Sequence, residues 1–180
     1  MRRHNGPVAI RGIRIFGDAI LRAVAEPVAA FDDSVQSLAQ DLLETLDQPG
    51  RAGVAAPQIG VPLRAFSYGV EDKRGVLINP EIVTREGSQE GDEGCLSVPG
   101  LWYPTTRSAY VVAKGYDSAG EPVEVAGEGE LARCLEHEVD HLAGIVYLHR
   151  LDRETRKRAM RDVRDSAWFT TGSSPAGQVH

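Results

Sequence analysis

Between Ser34 and Asp47 the apolar residues Val35, Leu38, Ala39, Leu42, Leu43 and Leu46 recur at i, i+3, i+4, i+7, i+8 and i+11, which places one apolar stripe along an α-helix. Ser34 stands where an N-cap is expected. Asp47-Gln48-Pro49-Gly50 ends the pattern, because proline removes a donor and glycine accepts dihedrals that other residues avoid. Short β-type segments are predicted at 63–68, 76–78, 81–84, 109–116 and 122–125, the last two joined by the turn Asp117-Ser118-Ala119-Gly120. Helical spacing returns from 130 to about 143, with Gly144 as its stop, and again from 152 to about 167. This order predicts an α+β fold in which small, mostly antiparallel sheets pack around a central helix, with one helix N-terminal and another C-terminal to them.

A chain of 180 residues suits a single domain, expected over 1–170, while 171–180 is rich in Gly, Ser and Pro and reads as a flexible tail. Apolar residues make up 42% and charged residues 26%, proportions of a globular chain rather than a disordered one. No apolar run approaches the ~20 residues needed to span a bilayer. Arg11 and Arg14 interrupt any secretory h-region, so a cytoplasmic location is expected, where Cys95 and Cys134 remain thiols.

The net charge of -6 argues against DNA binding, which depends on neutralising phosphates. Charge is uneven, however: 150–165 holds seven Arg or Lys against four acids. That segment reads as a solvated helix face, with RNA contact as the alternative.

The strongest chemical signal is His137-Glu138-Val139-Asp140-His141 inside the predicted central helix. Positions i and i+4 share a face, so two imidazoles can converge on one metal ion with a glutamate beside them. A catalytic site of this kind needs a third protein ligand and an open position for water. A third histidine of the metzincin type would fall at 147, which is tyrosine. Cys134 lies seven residues before His141, a rise of ~10.5 Å along a straight helix, too far for both to reach one ion with His137. Cys95, in Glu93-Gly94-Cys95-Leu96-Ser97, and Glu154 remain as third-ligand candidates.

The chain resembles the bacterial peptide deformylases. That family carries G-x-G-x-A-A-x-Q, E-G-C-L-S and Q-H-E-x-D-H-L-x-G in this order. Here they correspond to Arg51-Ala52-Gly53-Val54-Ala55-Ala56-Pro57-Gln58, to 93–97, and to Glu136-His137-Glu138-Val139-Asp140-His141-Leu142-Ala143-Gly144. The likeness runs from about Ile15 to Arg164 and includes Gly17-Asp18-Ala19-Ile20-Leu21. Arg51 replaces the first glycine of the first block and Glu136 the glutamine before the first histidine, departures expected to bear on substrate preference and compatible with a specialised paralogue.

The resemblance implies Cys95, His137 and His141 as ligands of one divalent metal, Fe(II) by the family's example, with zinc, nickel or cobalt as substitutes. It implies hydrolysis of the formyl group from N-formylmethionyl nascent peptides, releasing formate. Glu138 is the expected proton carrier, and the Gln58 amide and the Leu96 N–H are the expected oxyanion donors. Gly53 is expected to let a substrate strand pair with its loop, Cys134 to line the methionine pocket, and Glu93 to orient a ligand histidine. Asp140 reads either as support for the site or as a surface ion pair with Arg107. The rival readings are a zinc peptidase cutting internal bonds and a noncatalytic ribosome-associated module that uses the basic C-terminal helix as its contact surface.

Overall fold

A computed structural model describes residues 12–171. Helix α1 spans Asp33–Leu46 and buries Val35, Leu38, Leu42 and Leu46, the stripe predicted from spacing. Its cap differs from the expectation. Asp32 is the N-cap, its carboxylate accepting from the backbone N–H groups of Ser34 and Val35, while Ser34 lies inside the first turn. The negative side chain also complements the positive end of the helix dipole.

Five antiparallel strands form one sheet in the order β1-β2-β3-β6-β7: β1 Gly53–Ala55, β2 Ala65–Val70, β3 Lys73–Glu86, β6 Tyr110–Tyr116 and β7 Pro122–Glu128. The predicted segments 76–78 and 81–84 prove to be one strand. Asn79-Pro80 reads as a break, yet the strand passes through it with a register shift. Asn79 adopts a positive φ of 49°, a region this residue type tolerates, and its side chain ties to the backbone N–H and C=O of Val28 at 2.8 and 2.9 Å.

A separate two-stranded sheet pairs β4 (Gln89–Cys95) with β5 (Val98–Arg107). Neither strand was predicted. β4 is acidic and glycine-rich, without apolar alternation, because its buried face carries Glu93 rather than hydrocarbon.

Helix α2, Gly129–Leu142, lies against the five-stranded sheet, where Leu131, Leu135 and Leu142 pack with Phe66, Leu77, Val111 and Ala113. Gly144, at φ 72°, closes it. The predicted last helix is divided into α3, Arg153–Asp165, and α4, Ala167–Thr171. Their buried residues Ala159, Val163 and Trp168 cover the hairpin through Val98 and Tyr103. The fold is therefore α+β with α2 held between the large sheet and the hairpin. Thr171 ends α4, and the rest of the expected tail, 172–180, lies outside the described residues. Among the described residues no helix is long and apolar enough to cross a membrane.

Candidate metal centre

Helix α2 is buried on most of its circumference, and its positions 134, 137 and 138 line the cavity between sheet and hairpin, with His141 buried one turn beyond His137. His137 and His141 are one turn apart, with their Nε2 atoms 3.2 Å from each other. Cys95 ends β4, where the register shifts after Gly94, and its Sγ stands 3.3 Å from His141 Nε2. The ligand atoms of the three residues all lie within 4.8 Å of one another. Bonds of ~2.0–2.3 Å in a tetrahedral site separate ligands by about 3.3–3.7 Å, so the spacing fits one divalent ion. Two imidazoles and a thiol form a borderline-soft donor set suited to a late first-row metal.

Burial disfavours an imidazolium at His137, but neighbouring Cys95 and Glu93 outweigh it and raise its pKa. At His141, burial and the charge of His137 both lower the pKa.

Behind the ligands lies a buried ion network. His137 Nδ1 stands 2.6 Å from Glu93 Oε1, a contact that orients the ring so that Nε2 faces His141 Nε2. Arg107 grips Glu93 with two nitrogens, at 2.7 and 3.0 Å, and Arg133 Nη1 adds a third bond at 2.9 Å. Burial opposes ionisation of Glu93, yet the hydrogen bonds from His137 and Arg107 hold its pKa well below the usual carboxylate range. Arg107 also reaches Asp140 at 2.7 Å, and Arg150 binds Asp140 through two bonds of 2.6 and 3.0 Å. Asp140 is thus part of a buried network that locks α2 to the hairpin, not half of an exposed pair. Such a network is tolerable inside a protein only when each charge is paired.

A cavity of about 280 Å³ opens beside the three ligands. Glu138 faces it and is 3% exposed, and its Oε2 has no hydrogen-bond partner among the described residues. Burial pushes its pKa up to about 7 despite the opposing charge of His137. Gly53 lines the same wall, and a β-carbon there would stand 2.7 Å from Glu138 Cδ. The glycine is thus required to seat this carboxylate, a reason distinct from the strand pairing expected of it.

Gln58 sits in the 3-10 turn Ala56–Ile59 and is 1% exposed. Its Oε1 accepts the Ala55 N–H at 2.9 Å, which turns the amide nitrogen toward Ser97 Oγ at 3.1 Å and Cys95 Sγ at 3.6 Å. Leu96 follows Cys95 in the turn between β4 and β5 and also lines the cavity. Cys134 lines it too, with its thiol donating to Ala52 C=O at 3.2 Å. Glu154 is exposed in the first turn of α3 and is not among the residues grouped around the metal position.

The family model described as "Polypeptide deformylase" matches residues 10–157. The chain belongs to the polypeptide deformylase family. A peptide deformylase of Acidothermus cellulolyticus is 51% identical over 161 residues, covering 89% of each chain. The crystal structure of a peptide deformylase from Legionella pneumophila superposes with a TM-score of 0.81 at 41% identity, covering 87% of this chain and 95% of that one. The Met-Ala-Ser-bound class I type b peptide deformylase from Acinetobacter baumannii gives a TM-score of 0.76 at 31% identity, over 80% of this chain and 99% of that one.

The two departures from the deformylase blocks have separate places. Glu136 is turned away from the cavity and accepts from Ser108 N at 2.8 Å, Ser108 Oγ at 3.0 Å and Arg85 Nε at 2.9 Å. Its effect on substrate is therefore indirect at most, and its contacts are those of a structural tie. Arg51 does line the cavity, with its Nη1 donating to Thr45 C=O at 2.6 Å at the end of α1.

Sequence reasoning overlooked Ser97 as the acceptor of the Gln58 amide, and Arg133 and Arg150 as members of the ion network. Arg133 carried a signal: it stands four residues before His137, on the face that the helix buries. Tyr147, where a metzincin would place histidine, stacks on the His137 ring with centroids 6.3 Å apart.

Proposed function

We propose that this peptide deformylase hydrolyses the N-formyl group of N-formylmethionyl nascent polypeptides, releasing formate and a free amino terminus, with Cys95, His137 and His141 as ligands of one Fe(II). The observation that carries this reading is the convergence of one thiol and two imidazole nitrogens beside the unpartnered Glu138 oxygen. A divalent ion held by these residues supplies Lewis-acid polarisation and brings the pKa of water toward neutrality. Iron rests on the family's example; zinc, nickel and cobalt suit the same donors.

Glu138 accepts a proton from the attacking water and delivers it to the departing amine nitrogen as the formyl C–N bond breaks. Its burial supports this role, since a desolvated carboxyl holds and releases a proton near neutral pH. The Gln58 Nε2–H and the Leu96 N–H donate to the formyl oxygen as it becomes negative. The anchored Gln58 carbonyl supports the first assignment, because the donor end of the amide is already oriented before substrate arrives.

Substrate backbone pairs along β1, the outer strand of its sheet, beside Gly53. The methionine side chain enters the pocket along Cys134. Location in the cytoplasm follows from the substrate, which is a new translation product. A transient ribosome contact would use α3, whose Arg153, Arg156, Lys157, Arg158, Arg161 and Arg164 are all exposed.

An anaerobic preparation assayed for metal content and for formate released from formyl-Met-Ala-Ser tests the reading. The expected result is about one metal per chain and formate without cleavage of internal peptide bonds. Internal cleavage without formate would establish the peptidase alternative, and bound metal without any hydrolysis would establish the noncatalytic one.

A further inference from the structure

Helix α2 presents Glu130, Arg133, Cys134, His137 and Glu138 to one cavity, a stripe at helical spacing that runs from the metal position back toward the N-terminus of the helix. A side chain that passes the metal centre and follows Cys134 meets Arg133 next. This residue is 5% exposed, so its charge is part of the cavity wall rather than a solvated side chain.

The guanidinium is only partly committed. Nη1 donates to Glu93 Oε2 and to Thr105 C=O, both at 2.9 Å. Nε is 4.0 Å from Glu130 Oε2, an ion pair without a hydrogen bond. Nη2 has no hydrogen-bond partner among the described residues. The hairpin leaves space for this nitrogen at Gly91, where a β-carbon would come within 3.1 Å of it. A pocket expected to be hydrocarbon for a thioether therefore has a guanidinium in its wall, whose hydrogen bonds to the described residues are made by Nη1 alone.

We infer that Arg133 determines specificity in the first side-chain pocket, and that its Nη2 admits a methionine side chain oxidised to the sulfoxide as well as methionine itself. This rests on the deformylase reading of the same site. The sulfoxide keeps the length of methionine and adds one oxygen, a strong acceptor that an apolar pocket would strip of water without replacement. A hydrogen bond from a guanidinium replaces that water, and such charge-assisted bonds support a discrimination of about 10- to 100-fold. Norleucine, of the same length with no acceptor, gains nothing from Arg133. The enzyme would thereby process new chains whose initiating residue has been oxidised.

The test compares kcat/KM of the metal-loaded enzyme on formyl-Met-Ala-Ser and on its methionine sulfoxide and norleucine counterparts, for wild type, Arg133→Leu and Arg133→Lys. The ratio of sulfoxide to norleucine within one enzyme cancels any loss common to all substrates, including a disturbance passed through Glu93 to His137. In wild type that ratio should lie within about tenfold of unity, and in Arg133→Leu it should fall by about tenfold or more, with Arg133→Lys between them.

A wild-type enzyme that rejects the sulfoxide by more than about tenfold against norleucine, or a ratio unmoved in Arg133→Leu, overturns the role of Arg133 while leaving the deformylase reading intact. Should Arg133→Leu fail to fold, the wild-type ratio and Arg133→Lys still decide. Absence of formate from formyl-Met-Ala-Ser in the wild-type holoenzyme overturns the underlying reading, and this inference with it.

Discussion

At the scale of single residues, the site separates groups that hold from groups that react. A buried carboxylate oxygen that no described residue hydrogen-bonds is costly to hold, and beside the cavity Glu138 is placed to find its partner there. Glu138→Ala should therefore retain the metal while kcat falls about 10²- to 10⁴-fold, measured by formate release alongside metal analysis; near-normal turnover would remove Glu138 from the proton path. Gln58→Ala deletes an oriented donor and leaves all three ligands, so a kcat loss of about 10²- to 10³-fold with unchanged metal content is expected. Gly53→Ala probes the close approach to Glu138: overpacking of this kind costs about 1–3 kcal/mol, and both Tm and kcat should drop. Gly12→Ala, where a β-carbon meets nothing within 4 Å, serves as the comparison and should behave as wild type.

At the scale of elements, α2 is positioned by charge as much as by apolar packing. Its sheet-facing side is ordinary hydrocarbon, whereas its hairpin-facing side is secured through Arg107, Arg133 and Arg150 on Glu93 and Asp140. Glu136 adds a third attachment, to Ser108 and Arg85. Glu136→Ala leaves the Ser108 N–H without its acceptor and should cost about 1–3 kcal/mol in denaturant unfolding, with kcat/KM within a few-fold of wild type because the residue is turned away from the cavity. A large change in substrate preference would contradict that placement.

For α1, Asp32→Ala should lower Tm more than Ser34→Ala, since the carboxylate caps two backbone donors. Hydrogen bonds from Ser34, first from its side chain and then from its backbone, depress the pKa of Asp32. The cap's contribution is therefore present above the ordinary carboxylate pKa and lost as pH falls through the depressed one, so the Tm gap between the two variants should close in acid.

At the scale of the whole molecule, three remote segments meet at one point: 53–58, 93–97 and 137–141. A metal ion held here would couple folding to binding, because its ligands Cys95, His137 and His141 come from segments that converge only in the folded chain. Removal of the metal with a chelator should abolish activity and lower Tm by about 5–15 °C, with both recovered on adding Fe(II) or Zn(II) back; an unchanged Tm would argue against a resident ion. Helix α1, helix α2 with its two histidines, and most strands of the large sheet were legible in the chain because their signals are local: a stripe at 3.6 residues, alternation at two, a glycine stop. Helical spacing alone placed His137, Glu138 and His141 on one side of α2, and the rise of a helix removed Cys134 from the ligand set.

The hairpin that carries Cys95 was not legible, since β4 buries a carboxylate where alternation would call for an apolar residue, and its stability comes from arginines 14 and 40 positions away. For the same reason only the tertiary structure decided that Glu136 faces away from the cavity, that Gly53 makes room for Glu138, and that Arg133 lies in the pocket wall. Patterns of neighbouring residues reveal which face of an element is buried; what stands opposite that face depends on contacts between distant segments, which no local period encodes.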